Sequence, residues 1–304
     1  MFDTIIIGGG PAGMTAALYL LRENKKVLII EKESFGGQIA TSPRLENYPS
    51  IKSISGLEFS SNLFDQISDA GVEFELDNVK KVTKEGDIFK VETDYKTFEG
   101  KTVIVASGAK HRHMNLPLEE ELIGKGVSYC ATCDGPFYKG EDVVLIGDAN
   151  SAVIYAFELS EYCHSVKICT LFDHFFAEKY MVDKLLTLPN ISVRHNLNLI
   201  KFDFDDNGKF KGLIFEDTKT KEMVNEPCSG VFIAIGQEPQ NDFIDPSLVD
   251  LNKGYIKVDS RMQSKTEGLF AIGDCIDKEV RQVITATSDG AIAAISVSRY
   301  LSMK

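Results

Sequence analysis

An apolar strand that runs into three spaced glycines and then a helix leaves a chain few folds to adopt. Residues 4–33, TIIIGGGPAGMTAALYLLRENKKVLIIEKE, have that order. Residues 4–7 read as a strand, 14–22 as a helix, and 27–30 as a second strand closing on Glu31. Each glycine of Gly8-x-Gly10-x-x-Gly13 has a reason. Gly8 permits the tight turn, Gly10 lets the backbone approach a pyrophosphate, and Gly13 lets helix and strand pack closely. The helix N-terminus attracts phosphate charge. Glu31 can accept from both ribose hydroxyls, which suits an adenosine without a 2′-phosphate: FAD or NAD, not NADP.

The plan recurs at residues 143–173, VVLIGDANSAVIYAFELSEYCHSVKICTLFD, with one glycine in the turn and a second strand ending in Leu171 and Phe172. The echo implies an α/β chain with two Rossmann-like dinucleotide-binding domains of three layers each, one intact and one eroded. Near the end, GLFAIGDC is a strand stopped by Gly273-Asp274, and RQVITATSDGAIAAISVSRYL has helical periodicity. The C-terminal segment therefore belongs with the first domain. Residues 112–240 form a second domain inserted between 1–111 and 241–304.

Composition removes several function classes. A net charge of −12 argues against nucleic acid or an anionic membrane as partner. No apolar run reaches the roughly 18 residues of a membrane span. The first residues lack the flanks of a signal peptide, which implies a cytoplasmic protein. Two of the six cysteines form Cys130-Ala131-Thr132-Cys133. Such spacing closes a small disulfide ring, and a helix N-terminus would lower the thiol pKa. Half a zinc site is the rival reading, but neither a second C-x-x-C nor a paired His at metal spacing is present, so no metal is expected. Asp134 follows directly and could protonate a leaving thiolate or cap a helix. The other four cysteines read as buried small hydrophobes.

Taken together, GGGPAG, GGQIATSPRLENYP, ASGA, CATCDG, GLFAIGDC and RQVITATSDGAIAA resemble the low-molecular-weight thioredoxin reductases over essentially the whole chain. The resemblance implies FAD in the first domain, with Gly8, Gly10, Gly13 and Glu31 on its ADP half. It places Gln38 and Asn47 near the flavin and Asp274 at the ribityl and phosphate linkage. Arg281, Gln282 and Val283 would flank the ring. It also implies a homodimer, Cys133 as the flavin-facing thiol, Cys130 as the thiol that attacks the substrate disulfide, and thioredoxin as that substrate.

One departure concerns the electron donor. In the family the second turn is glycine-rich, and a histidine and arginines follow the next strand. Here the turn is Gly147-Asp148-Ala149-Asn150-Ser151-Ala152, with Asp148 in the middle position where backbone should approach a pyrophosphate. Thr170, Leu171, Phe172 and Phe176 stand in the basic positions. Losing about three charge-assisted bonds costs on the order of 4 to 9 kcal/mol, a thousandfold or more in affinity. NADPH is thereby disfavoured, and Asp148 opposes NADH as well. The pattern resembles the ferredoxin-dependent flavin thioredoxin reductases, which use no pyridine nucleotide. Ferredoxins are acidic and so is this chain, so docking calls for a basic patch, for which Lys110, His111, Arg112 and His113 are one candidate. A dithiol oxidase, an NADPH enzyme with a divergent site and a flavin redox sensor are the alternatives.

Overall fold

Ile5, Ile6 and Ile7 are all buried although they alternate sides of one strand, the mark of a strand covered on both faces. That strand, β1 (Phe2–Ile7), is followed by α1 (Pro11–Arg22) and pairs in parallel with β2 (Val27–Glu31). A computed structural model describes all 304 residues. They divide into two compact units, Met1–Lys110 with Glu238–Lys304, and His111–Gln237. The inserted unit thus runs 111–237, against the expected 112–240.

From β2 the chain continues through α2 (Gly56–Asp69), β3 (Glu73–Leu76), β4 (Val79–Glu85), β5 (Ile88–Thr93), β6 (Thr97–Val105) and the short β7 (Ala109–His111). The sheet order is β3-β2-β1-β6-β5-β4. The second unit contains β8 (Val127–Ser128), α3 (Ala131–Asp134), β9 (Asp142–Ile146), α4 (Asn150–Ser160), β10 (Ser165–Cys169), α5 (Lys179–Leu185) and β11 (Ile191–Arg194). Then come β12 (Leu197–Phe204), β13 (Phe210–Asp217), β14 (Met223–Pro227) and β15 (Gly230–Ile233). The chain returns through β16 (Gln237–Pro239), β17 (Leu251–Asn252), β18 (Tyr255–Ile256), β19 (Leu269–Ala271) and α6 (Val283–Ser302). β19 completes the first sheet by pairing in parallel with the C-terminal half of β6.

Strand alternation makes three layers in each unit. In the first, Ile6, Ile29, Ile104 and Phe270 face α1 and α6, burying Ala16, Leu20 and Val297. Ile5, Ile7, Val103 and Val105 face the antiparallel β4 and β5 through Val82, Phe89 and Val91. In the second unit the parallel order is β11-β10-β9-β15-β8. Val143, Leu145 and Phe232 pack on α4 and α5, whereas Val144, Ile146 and Val231 pack on the antiparallel β12-β13-β14. Both turns of the motif therefore sit at the C-terminal ends of central parallel strands, the position from which such folds bind ligands. One expectation needs correction. β10 stops at Cys169, so Leu171 and Phe172 lie beyond the strand.

Candidate functional site

The first turn begins at Gly8, whose φ is +111° and where a Cβ would stand 2.2 Å from the Ala106 carbonyl oxygen. Only glycine fits there. Gly13 is equally constrained, with a Cβ 2.1 Å from the Gly8 oxygen, which lets α1 start close against β1. Gly10 is the N-cap of α1, and a Cβ on it would meet nothing within 4 Å. Protein packing therefore does not require a glycine there. Glu31 closes β2 and accepts from the Gly9 and Glu33 amides at 2.7 and 2.9 Å, one bond per oxygen, leaving lone pairs free on both.

Asp274 lies in the turn after β19, in the same unit. Its Oδ1 is buried and has no hydrogen-bond partner. Burial pushes its carboxyl up, against the lowering influence of Lys278 and Arg281. An orphaned buried carboxylate oxygen has a cost of its own, and a ligand donor removes it. Arg281 stacks on Tyr255 at 4.4 Å and donates to the carbonyls of Asp274 and Ile276 at 3.5 and 3.4 Å. Asn47 donates to the side-chain oxygen of Gln282 at 3.1 Å, and Gln282 caps α6 just before Val283. Gln38 donates to the Ala109 carbonyl. The open Gly10 and the unpartnered Asp274 oxygen both fit an FAD at this unit.

The second unit carries the disulfide. Cys130 and Cys133 are bonded to one another. Cys130 is the N-cap of α3, and its sulfur accepts from the Cys133 amide at 3.1 Å. That N–H would stabilise a thiolate on Cys130 once the bond is reduced. The Asp134 side chain makes no capping bond. Its Oδ2 accepts from the Ser128 hydroxyl at 2.6 Å, and burial raises its carboxyl, so it keeps a proton to higher pH than an ordinary aspartate. Ser128 also accepts from the Cys130 amide at 3.1 Å and so ties acid to nucleophile. Sequence reasoning gave no signal for Ser128. Next to it, the buried Tyr129 hydroxyl donates to the buried Glu119.

The second turn keeps the backbone and loses the ligand chemistry. Gly147 has φ +152°, and a Cβ there would sit 2.5 Å from the Ala234 oxygen. Ala149, not Asp148, is the N-cap of α4 and hence the counterpart of Gly10. Asp148 matches Gly9: its carbonyl accepts from Phe176 at 2.7 Å, as the Gly9 carbonyl does from Gly36 at 2.9 Å. The position of close approach therefore bears a methyl group, and the carboxylate stands one residue before it. The Asp148 carboxyl is raised by burial. Thr170 occupies the place of Glu31; its hydroxyl lies 2.6 Å from His195 Nδ1 and donates to the Phe172 carbonyl at 2.7 Å. Leu171, Phe172 and Phe176 are 47%, 47% and 59% exposed, and the two phenylalanines meet edge to face at 5.3 Å.

Two further expectations meet the structure. Cys163, Cys169, Cys228 and Cys275 are buried thiols, with burial pushing the first three up to about 11, 12 and 12. In the run Lys110–His113, Lys110 and Arg112 are exposed and the two histidines are half-buried. Lys110 pairs with Glu33 at 3.1 Å. Burial, aided by His113, depresses His111 to about 4, so it is neutral, and its ring stacks on Tyr129 at 4.9 Å. No group of His, Cys, Asp and Glu is placed to hold a metal, and no helix is long and apolar enough to cross a membrane.

Residues 2–290 match the family described as pyridine nucleotide-disulphide oxidoreductase. The thioredoxin reductase of Bacillus subtilis is 38% identical over 99% of this chain and 95% of that protein. A 34.2 kDa protein in the rubredoxin operon of Clostridium pasteurianum is 36% identical over 99% of this chain and 98% of its own. The crystal structure of thioredoxin reductase from Streptococcus pyogenes superposes with a TM-score of 0.96 at 36% identity, covering 100% of this chain and 99% of that one.

Proposed function

The chain belongs to the low-molecular-weight thioredoxin reductases, FAD-containing disulfide oxidoreductases, and on that premise we propose that its electrons come from reduced ferredoxin rather than from NADPH. One observation carries the reading: Asp148 and Ala149 at the second turn, with Leu171, Phe172 and Phe176 exposed where phosphate-binding cations belong. A carboxylate beside a pyrophosphate is repulsive. The clostridial relative is named for its place in a rubredoxin operon, a setting of one-electron iron carriers that accords with such a donor.

FAD, when bound, supplies a centre that takes electrons singly and releases them in pairs. The protein does the rest. Two electrons and two protons convert Cys130–Cys133 to a dithiol. The Cys130 thiolate then attacks one sulfur of oxidised thioredoxin, forming a mixed disulfide. Asp134 donates the proton that the departing thiolate requires. Cys133 attacks the mixed disulfide and re-forms the internal bond, and reduced thioredoxin leaves. We assign Gly8, Gly10, Gly13 and Glu31 to the ADP half of FAD, and Gln38, Asn47, Asp274, Arg281, Gln282 and Val283 to its flavin half. A homodimer in the cytoplasm accords with the same reading.

An anaerobic titration of the yellow protein tests it. Bleaching of the flavin band by reduced ferredoxin, with dithiol appearing on added thioredoxin, is expected. Fast bleaching by micromolar NADPH would overturn it.

A further inference from the structure

Asp274 is not the only charge at its turn. Lys278, four residues on, is largely buried, and its ammonium stands 3.8 Å from the orphaned Asp274 Oδ1. It donates to Asp289 at 2.8 Å and to the Thr285 hydroxyl at 3.4 Å. Asp289 is buried in α6, and the same Oδ2 accepts from the Gly273 amide at 3.1 Å. Thr285 in turn accepts from the Gln282 amide at 3.1 Å as part of the cap of α6. The lysine is thus held by two residues of α6 while its charge faces a carboxylate oxygen that no protein donor reaches.

We propose that Lys278 is a positioning residue for FAD: fixed by Asp289 and Thr285, its ammonium keeps Asp274 ionised so that Oδ1 stays an acceptor for the bound cofactor. This rests on FAD binding and not on the identity of the electron donor. Two carboxylates, Asp274 and Asp289, stand against two cations, Lys278 and Arg281, and Lys278 is the one placed beside both. Removing the lysine leaves two buried carboxylates with little compensation, which is costly. Burial already raises Asp274, and Lys278 is the strongest influence lowering it. Without the lysine, Asp274 takes up a proton at higher pH and ceases to be a pure acceptor.

The test uses Lys278→Gln, which keeps a donor toward Asp289 and Thr285 but no charge, and Lys278→Arg, which keeps the charge. FAD is removed from each full-length protein, and its affinity is measured by fluorescence quenching from pH 6 to 8.5. Lys278→Gln should bind FAD about tenfold or more weakly near pH 6, and the deficit should shrink as pH rises and Asp274 ionises. Lys278→Arg should follow the parent across the range. A loss that is constant with pH, which a purely structural lysine would give, overturns the proposal. So does an unchanged affinity, or an arginine variant as impaired as the glutamine. Ferredoxin-driven bleaching of the fully loaded parent is read separately, so failure here leaves the donor question untouched.

Discussion

The two units run the same backbone to different ends. In the first, the Gly8 amide bonds to Ile30 at 2.9 Å and the Ala106 amide to Ile7 at 2.7 Å. In the second, Gly147 bonds to Cys169 at 3.3 Å and Ala234 to Ile146 at 2.8 Å. Each turn opens on a glycine whose Cβ would strike a carbonyl of the neighbouring strand. The comparison separates what the fold demands from what a ligand demands. Gly147 is kept because the strand crossing needs it. The places of Gly10 and Glu31, which we assign to the cofactor, are held in the second unit by Ala149 and Thr170.

That separation can be attacked from several sides. Cys133→Ser should lower thioredoxin reduction by at least about a thousandfold while the flavin band persists, since the residues we assign to FAD all lie in the first unit. Loss of the flavin instead would break the division of labour. Asp134→Asn should slow dithiol exchange with thioredoxin by on the order of a hundredfold near neutrality, leaving flavin bleaching unchanged. The acid form is the active one and burial extends it upward in pH. Parental exchange rates should therefore fall as pH rises through that raised value, whereas the asparagine variant shows no such fall in stopped-flow measurements.

Gly10→Ala imposes the second turn's methyl on the first. The added carbon meets no protein atom within 4 Å, so folding should be unaffected while FAD binds about 10 to 100 times more weakly by equilibrium dialysis. The reciprocal graft, Asp148→Gly and Ala149→Gly with Leu171→Arg and Phe172→Arg, should create NADPH bleaching that the parent lacks, with roughly tenfold or more in affinity per added guanidinium. The smallest effect concerns His111. Its folded-state value of about 4 lies below the ordinary 6.5, so the folded state favours the neutral ring. The stabilisation is fully present above 6.5 and is lost as pH falls from there through 4. His111→Phe should remove on the order of 1 to 2 kcal/mol of that acid sensitivity, read from denaturation midpoints at pH 7 and 4.5.

Much of this was legible in the residue order, for a physical reason. Glycines at fixed offsets, strand alternation and a C-x-x-C are local constraints, and the strand-turn-helix-strand order from residue 4 to Glu31 read correctly without coordinates. Asp148 was misplaced by one position: counted from Gly147 as from Gly8, the motif's second glycine position falls on Ala149, which the helix N-cap bears out. Ser128, Tyr129–Glu119 and the Lys278–Asp289 pair carried no signal, since a serine or lysine gains its role from partners that only packing supplies. In the run Lys110–His113 the sequence shows charge types but not burial, which depresses the pKa of His111 while Lys110 and Arg112 stay exposed.

The route of the chain through the first unit has a consequence for how the molecule is made. β6 waits for β19, and α1 packs against α6, so the first sheet stays incomplete until residues 269–302 have left the ribosome. The inserted unit is contiguous and has its whole core from 111 to 237 far earlier. During synthesis, then, a finished domain would hang between two halves of an unfinished one.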